Sequence, residues 1–439
     1  MTILLTQFAF MVILLISKKL FNRWMNPLSI YAGVWSLLIT FYEFKLFQYE
    51  DIRLFTWVII LLAFCSFLIG ILTFFTAKQV FSTNLTQSKT NPKEIIPFRK
   101  QHANIILLIA LVFSTIGLFA ALIHWLVLIK MFGSVTEVFV YANIVYQMRV
   151  QGEIEGVIPY LSSFNFASVF LAAIYTAYKG KVTWISVYSF LVLSMQELAN
   201  VGRAGLLFGL IIFFSTFFFL RNKFKQNSES EYKVKKARTI LTTLVFIIIF
   251  VFVATFVKQV RGTVESFKGA TRSLSSLETS EFITPSIYLY SSVHIGVLNK
   301  FLELDKEDTK IGQNIFLPVY SILAKFGVTD KPSIYQKGYY VPMWANTGTY
   351  LREIYADFGI TGIILIPYFL GLFCSHFWES FYRNNNFISL TLLVYLCSVL
   401  FISFLMMITR LGSWYISLLI LLITFTILEK SVFKRSVQP

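Results

Sequence analysis

The sequence predicts an all-α, polytopic integral membrane protein with about 11 transmembrane helices (10–12) and one long, partly helical extracytoplasmic loop. Three observations carry this. Of 439 residues, 56% are hydrophobic and only 14% charged, where a soluble domain carries about 25% charge. The apolar residues fall into runs of about 20, the length needed to cross roughly 30 Å of hydrocarbon. Those runs are continuous rather than alternating, which disfavours a β-barrel.

The expected spans, in order, are 2–17, 27–44, 54–76, 103–130, 160–178, 182–200, 204–220, 239–257, 354–377, 388–407 and 412–429. The first has no basic leader before it and no small-residue cleavage site after it, so it reads as a retained helix rather than a signal peptide. Orientation follows from the short loops, where cytoplasmic segments concentrate Lys and Arg. Loop 18–26 carries Lys18, Lys19 and Arg23, and loop 77–102 carries Lys78, Lys89, Lys93, Arg99 and Lys100. The turn at 179–181 has Lys179 and Lys181, loop 221–238 is again basic, and the tail adds Lys430, Lys434 and Arg435. These loops alternate with ones of mixed charge. The N-terminus is therefore expected outside and the C-terminus in the cytoplasm.

This divides the chain into an N-terminal bundle (1–257, about eight spans), a large outer loop (258–353) and a C-terminal bundle (354–439, about three spans). A loop of that length among short ones is a candidate functional element. Within it, 283–299 and 311–327 are apolar but interrupted by Pro285, Pro318 and glycines. Both are expected to lie on the membrane surface or dip into it. The stretch 331–343 reads as an irregular, tyrosine-rich lid.

The net charge of +16 does not signal nucleic acid, because the basic residues sit in the short loops that set orientation. Cys65, Cys374 and Cys397 fall inside apolar runs and four histidines are scattered. Neither a disulfide framework nor a metal site is expected, and no cofactor is implied.

Three arginines fall at outer membrane boundaries: Arg203 and Arg410 in short turns, and Arg261 just after the eighth span. Basic residues there run against the orientation rule, and an unpaired arginine costs about 2.5–3.5 kcal/mol at the bilayer centre. A planar, permanently charged fork suits a phosphate or diphosphate; the plain alternative is snorkelling to headgroups. In segment 344–364, Asn346-Thr-Gly-Thr349 supplies capping residues, and a helix start there offers N–H groups to an anion. Arg352, Glu353 and Asp357 follow, with Glu353 and Asp357 four apart on one face; a capped helix with a structural Arg–carboxylate pair fits equally. His294 is either a proton acceptor or an ordinary hydrogen-bonded histidine. Glu197 is satisfied if it pairs with an outer arginine.

With these residues in hand, the chain resembles the bacterial O-antigen and capsular oligosaccharide repeat-unit polymerases of the Wzy type. The resemblance rests on the span number, the long outer loop, the Asn200-Val-Gly-Arg203 turn, and the Asn346-Thr…Tyr350…Tyr355-Ala-Asp-Phe-Gly-Ile-Thr-Gly362 segment followed by Gly371. It implies a GT-C-like, inverting glycosyltransferase in the bacterial inner or plasma membrane. Its donor and acceptor would be undecaprenyl-diphosphate-linked oligosaccharides, and a flippase and a chain-length regulator are candidate partners. By the same resemblance Arg203, Arg261, Arg410, Arg272 and Arg352 are diphosphate candidates. Glu353, Asp357 and His294 are candidate bases, and Tyr339, Tyr340, Trp344, Asn346 and Tyr350 candidate sugar contacts. The alternatives are a ligase of the same fold and a lipid-linked oligosaccharide flippase or exporter.

Overall fold

The computed structural model describes residues 2–84, 100–154, 157–158, 160–227, 285–304, 309–333, 336–384 and 386–433. The chain is predominantly helical, as an all-α membrane protein is. Among the described residues six helices are long and apolar enough to cross a membrane, at Ile3–Phe21, Leu54–Val80, Lys100–Phe132, Ala204–Arg221, Tyr350–Asn384 and Gly412–Ser431. Shorter apolar helices occupy Trp184–Ala199 and Phe387–Ile402. The expected span at 239–257 lies outside the described residues. The contacts sort the residues into two units: Met1–Asn91, Glu265–Glu379 and Leu396–Leu411 in one, and Pro92–Val264, Ser380–Tyr395 and Gly412–Pro439 in the other.

In the first unit, α1 (Thr2–Phe21) packs on α2 (Pro27–Glu43). Helix α2 starts sharply because Asn26 and Ser29 cap each other's backbone and Pro27 presets the first turn. Helix α3 (Leu54–Asn84) meets the later Tyr350–Asn384 helix at a small-residue crossing. A Cβ on Gly70 would lie 2.0 Å from the Tyr368 carbonyl oxygen, and one on Gly371 would lie 2.2 Å from that of Phe67. The two glycines are reciprocal: each admits the other helix's backbone, the device that brings helices together in lipid.

The second unit contains α4 (Lys100–Phe132), α5 (Val135–Val140), α6 (Ala142–Gln151), α7 (Ser163–Lys179), α8 (Trp184–Ala199) and α9 (Ala204–Asn227). Helix α7 is its core: it is buried along nearly its whole length and touches α4, α8 and α9. Ser168 bridges to Ser114 of α4 and to Ser189 of α8, the latter at 2.7 Å. Such hydroxyl contacts join helices where water is absent.

Beyond residue 284, the first unit adds α10 (Pro285–Leu304) and α11 (Leu317–Lys325). A two-strand hairpin, β1 (Tyr339–Tyr340) and β2 (Trp344–Ala345), begins within the stretch expected to be irregular (331–343) and closes just beyond it. The expectation for 283–299 is corrected. Leu289, Val293, Ile295, Val297, Leu298 and Phe301 are all buried, so α10 is a core helix rather than a surface one. Polar pairs with the 41–56 segment hold it there: Tyr288 donates to the Phe41 carbonyl at 2.6 Å, Tyr49 meets Ser292 at 2.8 Å, and Asn299 accepts from Thr56 at 2.8 Å.

The chain closes with α12 (Tyr350–Asn384), α13 (Phe387–Ile402), a 3-10 turn at Ile408–Arg410 and α14 (Gly412–Leu428). Helix α12 is broken at Gly359 (φ 61°, ψ −150°), a backbone region essentially reserved for glycine. A short helix from 350 to 358 therefore precedes the membrane-length part.

Candidate functional site

The short helix before the Gly359 break carries a buried polar cluster. Glu353 and Asp357 are one turn apart, so both face the Ile408–Arg410 turn and the Asn314 segment. Arg410 donates through one nitrogen to Glu353 at 2.8 Å and to Asn314 Oδ1 at 2.7 Å. Asn314 Nδ2 in turn donates to Asp357 Oδ1 at 2.9 Å. The result is a continuous Glu353–Arg410–Asn314–Asp357 chain, all of it buried.

The remaining donors are also assigned. Glu353 accepts from the Met407 backbone N–H and from Gln336 Nε2. Asp357 accepts from the backbone N–H groups of Asn314 and Ile315 at 2.9–3.0 Å. Thr409 donates to the Ile315 carbonyl at 2.8 Å. Two carboxylates thus organise three separate segments, 314–315, 336 and 407–410, around one helix. Burying charge is tolerated only with such pairing.

Arg352 points the other way. Its guanidinium donates to the carbonyls of Asn346 (3.0 Å) and Lys337 (2.5 Å) and lies over the rings of Tyr339 and Phe301. It clamps the hairpin onto α10 and the short helix, and Gly348 gives it room: a Cβ there would sit 2.6 Å from the Arg352 Cδ. The helix start itself is partly occupied, because the Tyr350 N–H donates to the Ser403 carbonyl at 2.9 Å. The Thr349 hydroxyl makes no hydrogen bond, so the expected side-chain cap does not form.

His294, on α10, faces two carbonyl oxygens: Thr347 at Nδ1 (3.0 Å) and Tyr290 at Nε2 (2.9 Å). Burial pushes its imidazole below the ordinary range, and the two carbonyl contacts oppose that push. A neutral ring has one N–H, so it satisfies one carbonyl at a time. Among the sugar-contact candidates, Tyr340 and Trp344 are exposed on the hairpin, whereas Tyr339 is buried under Arg352. Tyr350 is fully buried with its hydroxyl 2.6 Å from that of Tyr31, so it offers no face to a sugar.

Arg203 lies in the second unit, in the turn between α8 and α9. That turn is built round Glu197, which accepts from Asn200 Nδ2 at 3.1 Å and from the Gly205 backbone N–H. A Cβ on Gly205 would come within 2.3 Å of the Glu197 carboxyl carbon, and one on Gly202 within 3.0 Å of its oxygen and 3.3 Å of the Arg149 guanidinium. The spacing Asn200-Val-Gly-Arg-Ala-Gly205 is thus a carboxylate cradle. Val201 holds φ 47° there, a strained geometry for a β-branched residue.

Arg261 and Arg272 lie outside the described residues. Sequence pattern gives no sign of Asn314, Gln336 or Arg149: each sits in a loop or short helix far along the chain from the carboxylate it faces, and only the tertiary fold makes it a partner. No protein-family model, curated protein or solved structure matches this chain.

Proposed function

We propose that the chain is a polysaccharide repeat-unit polymerase. In this reading it is an inverting, GT-C-like glycosyltransferase of about 11 spans. It joins undecaprenyl-diphosphate-linked oligosaccharides at the outer face of a bacterial inner or plasma membrane. The observation that carries the reading is the convergence of Glu353, Asp357, Asn314 and Arg410 just before the break in α12, with Arg352 on the other side of the same short helix holding an exposed aromatic hairpin. Interrupted helices in membrane proteins line polar sites rather than lipid.

The chemistry needs few parts. An acceptor hydroxyl attacks the anomeric carbon of the donor sugar. The bond to the diphosphate breaks with inversion, the electron pair leaves with the diphosphate, and a base takes the hydroxyl proton. Arginines stabilise the leaving group, and holding two lipid-tethered substrates together supplies much of the remaining acceleration. In this reading Arg410 serves the diphosphate with Glu353 orienting it, and Arg203, in the second unit, is a separate candidate for an anionic group. Both oxygens of Asp357 and both of Glu353 already accept N–H groups, so either acid must release a donor before it can take the proton. Tyr340 and Trp344 offer ring faces to sugars.

A flippase or exporter is the rival that the broken helix also fits. The test is glycan chain length in cells carrying Arg203→Ala or Glu353→Gln, with membrane levels matched to wild type. Each loss is expected to cost about 2–4 kcal/mol, or roughly 30- to 1000-fold in rate. Unchanged chain length in both variants would overturn the reading.

A further inference from the structure

Helix α11 presents to the outside the kind of surface that a water-facing helix hides. Phe316, Val319, Ile322 and Phe326 are 45%, 47%, 46% and 78% exposed. Their spacing places them along one side of the helix. Val328 and Ile311, just beyond its two ends, are 66% and 76% exposed. Within α11 only Leu317 is buried. The stripe is flanked by exposed basic residues: Lys325 at the helix end, Lys331 beyond it, and Lys310 before it, which meets Asp330 at 3.2 Å.

What lies against this stripe follows from where the helix is fixed. Asp357 accepts the Asn314 and Ile315 N–H groups two to three residues before α11 begins, and Thr309 donates to the Ala356 carbonyl at 2.9 Å. Both anchors belong to the short helix that ends at Gly359, where the membrane-length part of α12 starts. That part carries its own exposed apolar residues from its first turn: Ile360, Ile364, Leu365, Phe369 and Phe373. The start of α11 is therefore tied to the point on α12 where the exposed apolar surface of its membrane-length part begins. At that point an apolar stripe with basic flanks fits an anionic bilayer surface: rings and branched chains at the headgroup–acyl boundary, lysines reaching back to phosphates.

We propose that α11 is an interfacial helix that inserts Phe316, Val319, Ile322 and Phe326 into the bilayer surface. This makes the Asn314–Arg410–Glu353 cluster membrane-apposed, with its neighbouring helix anchored in lipid. The inference stands on exposure, spacing and anchoring, and does not depend on the chemistry proposed above.

The test uses the full chain in phosphatidylcholine–phosphatidylglycerol nanodiscs with Cys65→Ala. An environment-sensitive fluorophore is attached at Ile322→Cys, Phe326→Cys or, as a water-facing reference, Asp330→Cys. Without an added cysteine the same protein sets the background. At Ile322 and Phe326 the probe is expected to be quenched by nitroxide lipids labelled near the headgroup, consistent with a depth of about 5–10 Å, and protected from iodide. At Asp330, whose side chain is 98% exposed, the reverse is expected. Iodide quenching at 322 and 326 without lipid quenching would overturn the proposal. So would protection from both quenchers, since protein would then cover the stripe.

Discussion

Arg410 shows how a single residue can satisfy two readings. Arginine at an outer turn suggested an anion site, and in the fold its charge is met by Glu353 at 2.8 Å and its geometry fixed by Asn314. A buried pair of this kind punishes the loss of one partner more than the loss of both. Arg410→Met alone is expected to destabilise the protein by about 3–5 kcal/mol, with Glu353 left buried and uncompensated. Adding Glu353→Gln should restore part of that. Denaturant unfolding in detergent, arranged as a double-mutant cycle, measures the coupling. Additive losses would mean that the two side chains do not depend on each other.

The same residues mark the limit of what the sequence disclosed. Glu353 and Asp357 shared a helical face by spacing alone, and that part was legible. Their partners were not, since Asn314 and Arg410 are 39 and 57 positions from Glu353 and no local pattern links them. Tyr350 was a sugar-contact candidate, but its hydroxyl meets that of Tyr31, its N–H donates to the Ser403 carbonyl, and its side chain is fully buried.

At the scale of elements, periodicity and length marked apolar runs that are helical among the described residues, six of the helices there being long and apolar enough to cross a membrane, because continuous apolar runs have few alternatives in lipid. They could not distinguish a helix lying on a membrane from one buried in protein, which is why α10 was misplaced. Its apolar faces look alike in both settings, and the deciding contacts come from the 41–56 segment. Glycines tell more. Gly70 and Gly371 each face backbone at 2.0–2.2 Å from a would-be Cβ, so Gly70→Val or Gly371→Val must separate α3 and α12. A loss of about 1–3 kcal/mol, typical of overpacking, is expected. Gly359→Ala has open space and is expected to cost only its backbone strain, of order 1–3 kcal/mol. Thermal unfolding of the three variants checks this. Wild-type stability in Gly70→Val would show that the helices are not in contact there.

For the whole molecule, the first unit holds the Glu353–Arg410–Asn314–Asp357 chain and the second holds the Glu197 cradle beside Arg203. Both are buried carboxylate sites; the first gathers three segments round a short helix, and the second is a turn in which Gly202 and Gly205 make room for Glu197. In a protein with so little charge, buried ionisable groups are functional candidates by default. The proposal that they serve transfer of a lipid-linked glycan is tested most directly by purified protein in vesicles with undecaprenyl-diphosphate-linked oligosaccharide as the sole substrate. Elongated lipid-linked chains and released undecaprenyl diphosphate are predicted for wild type, with both lost in folded Glu353→Gln. No elongation by folded wild type, or undiminished elongation by the variant, would contradict it.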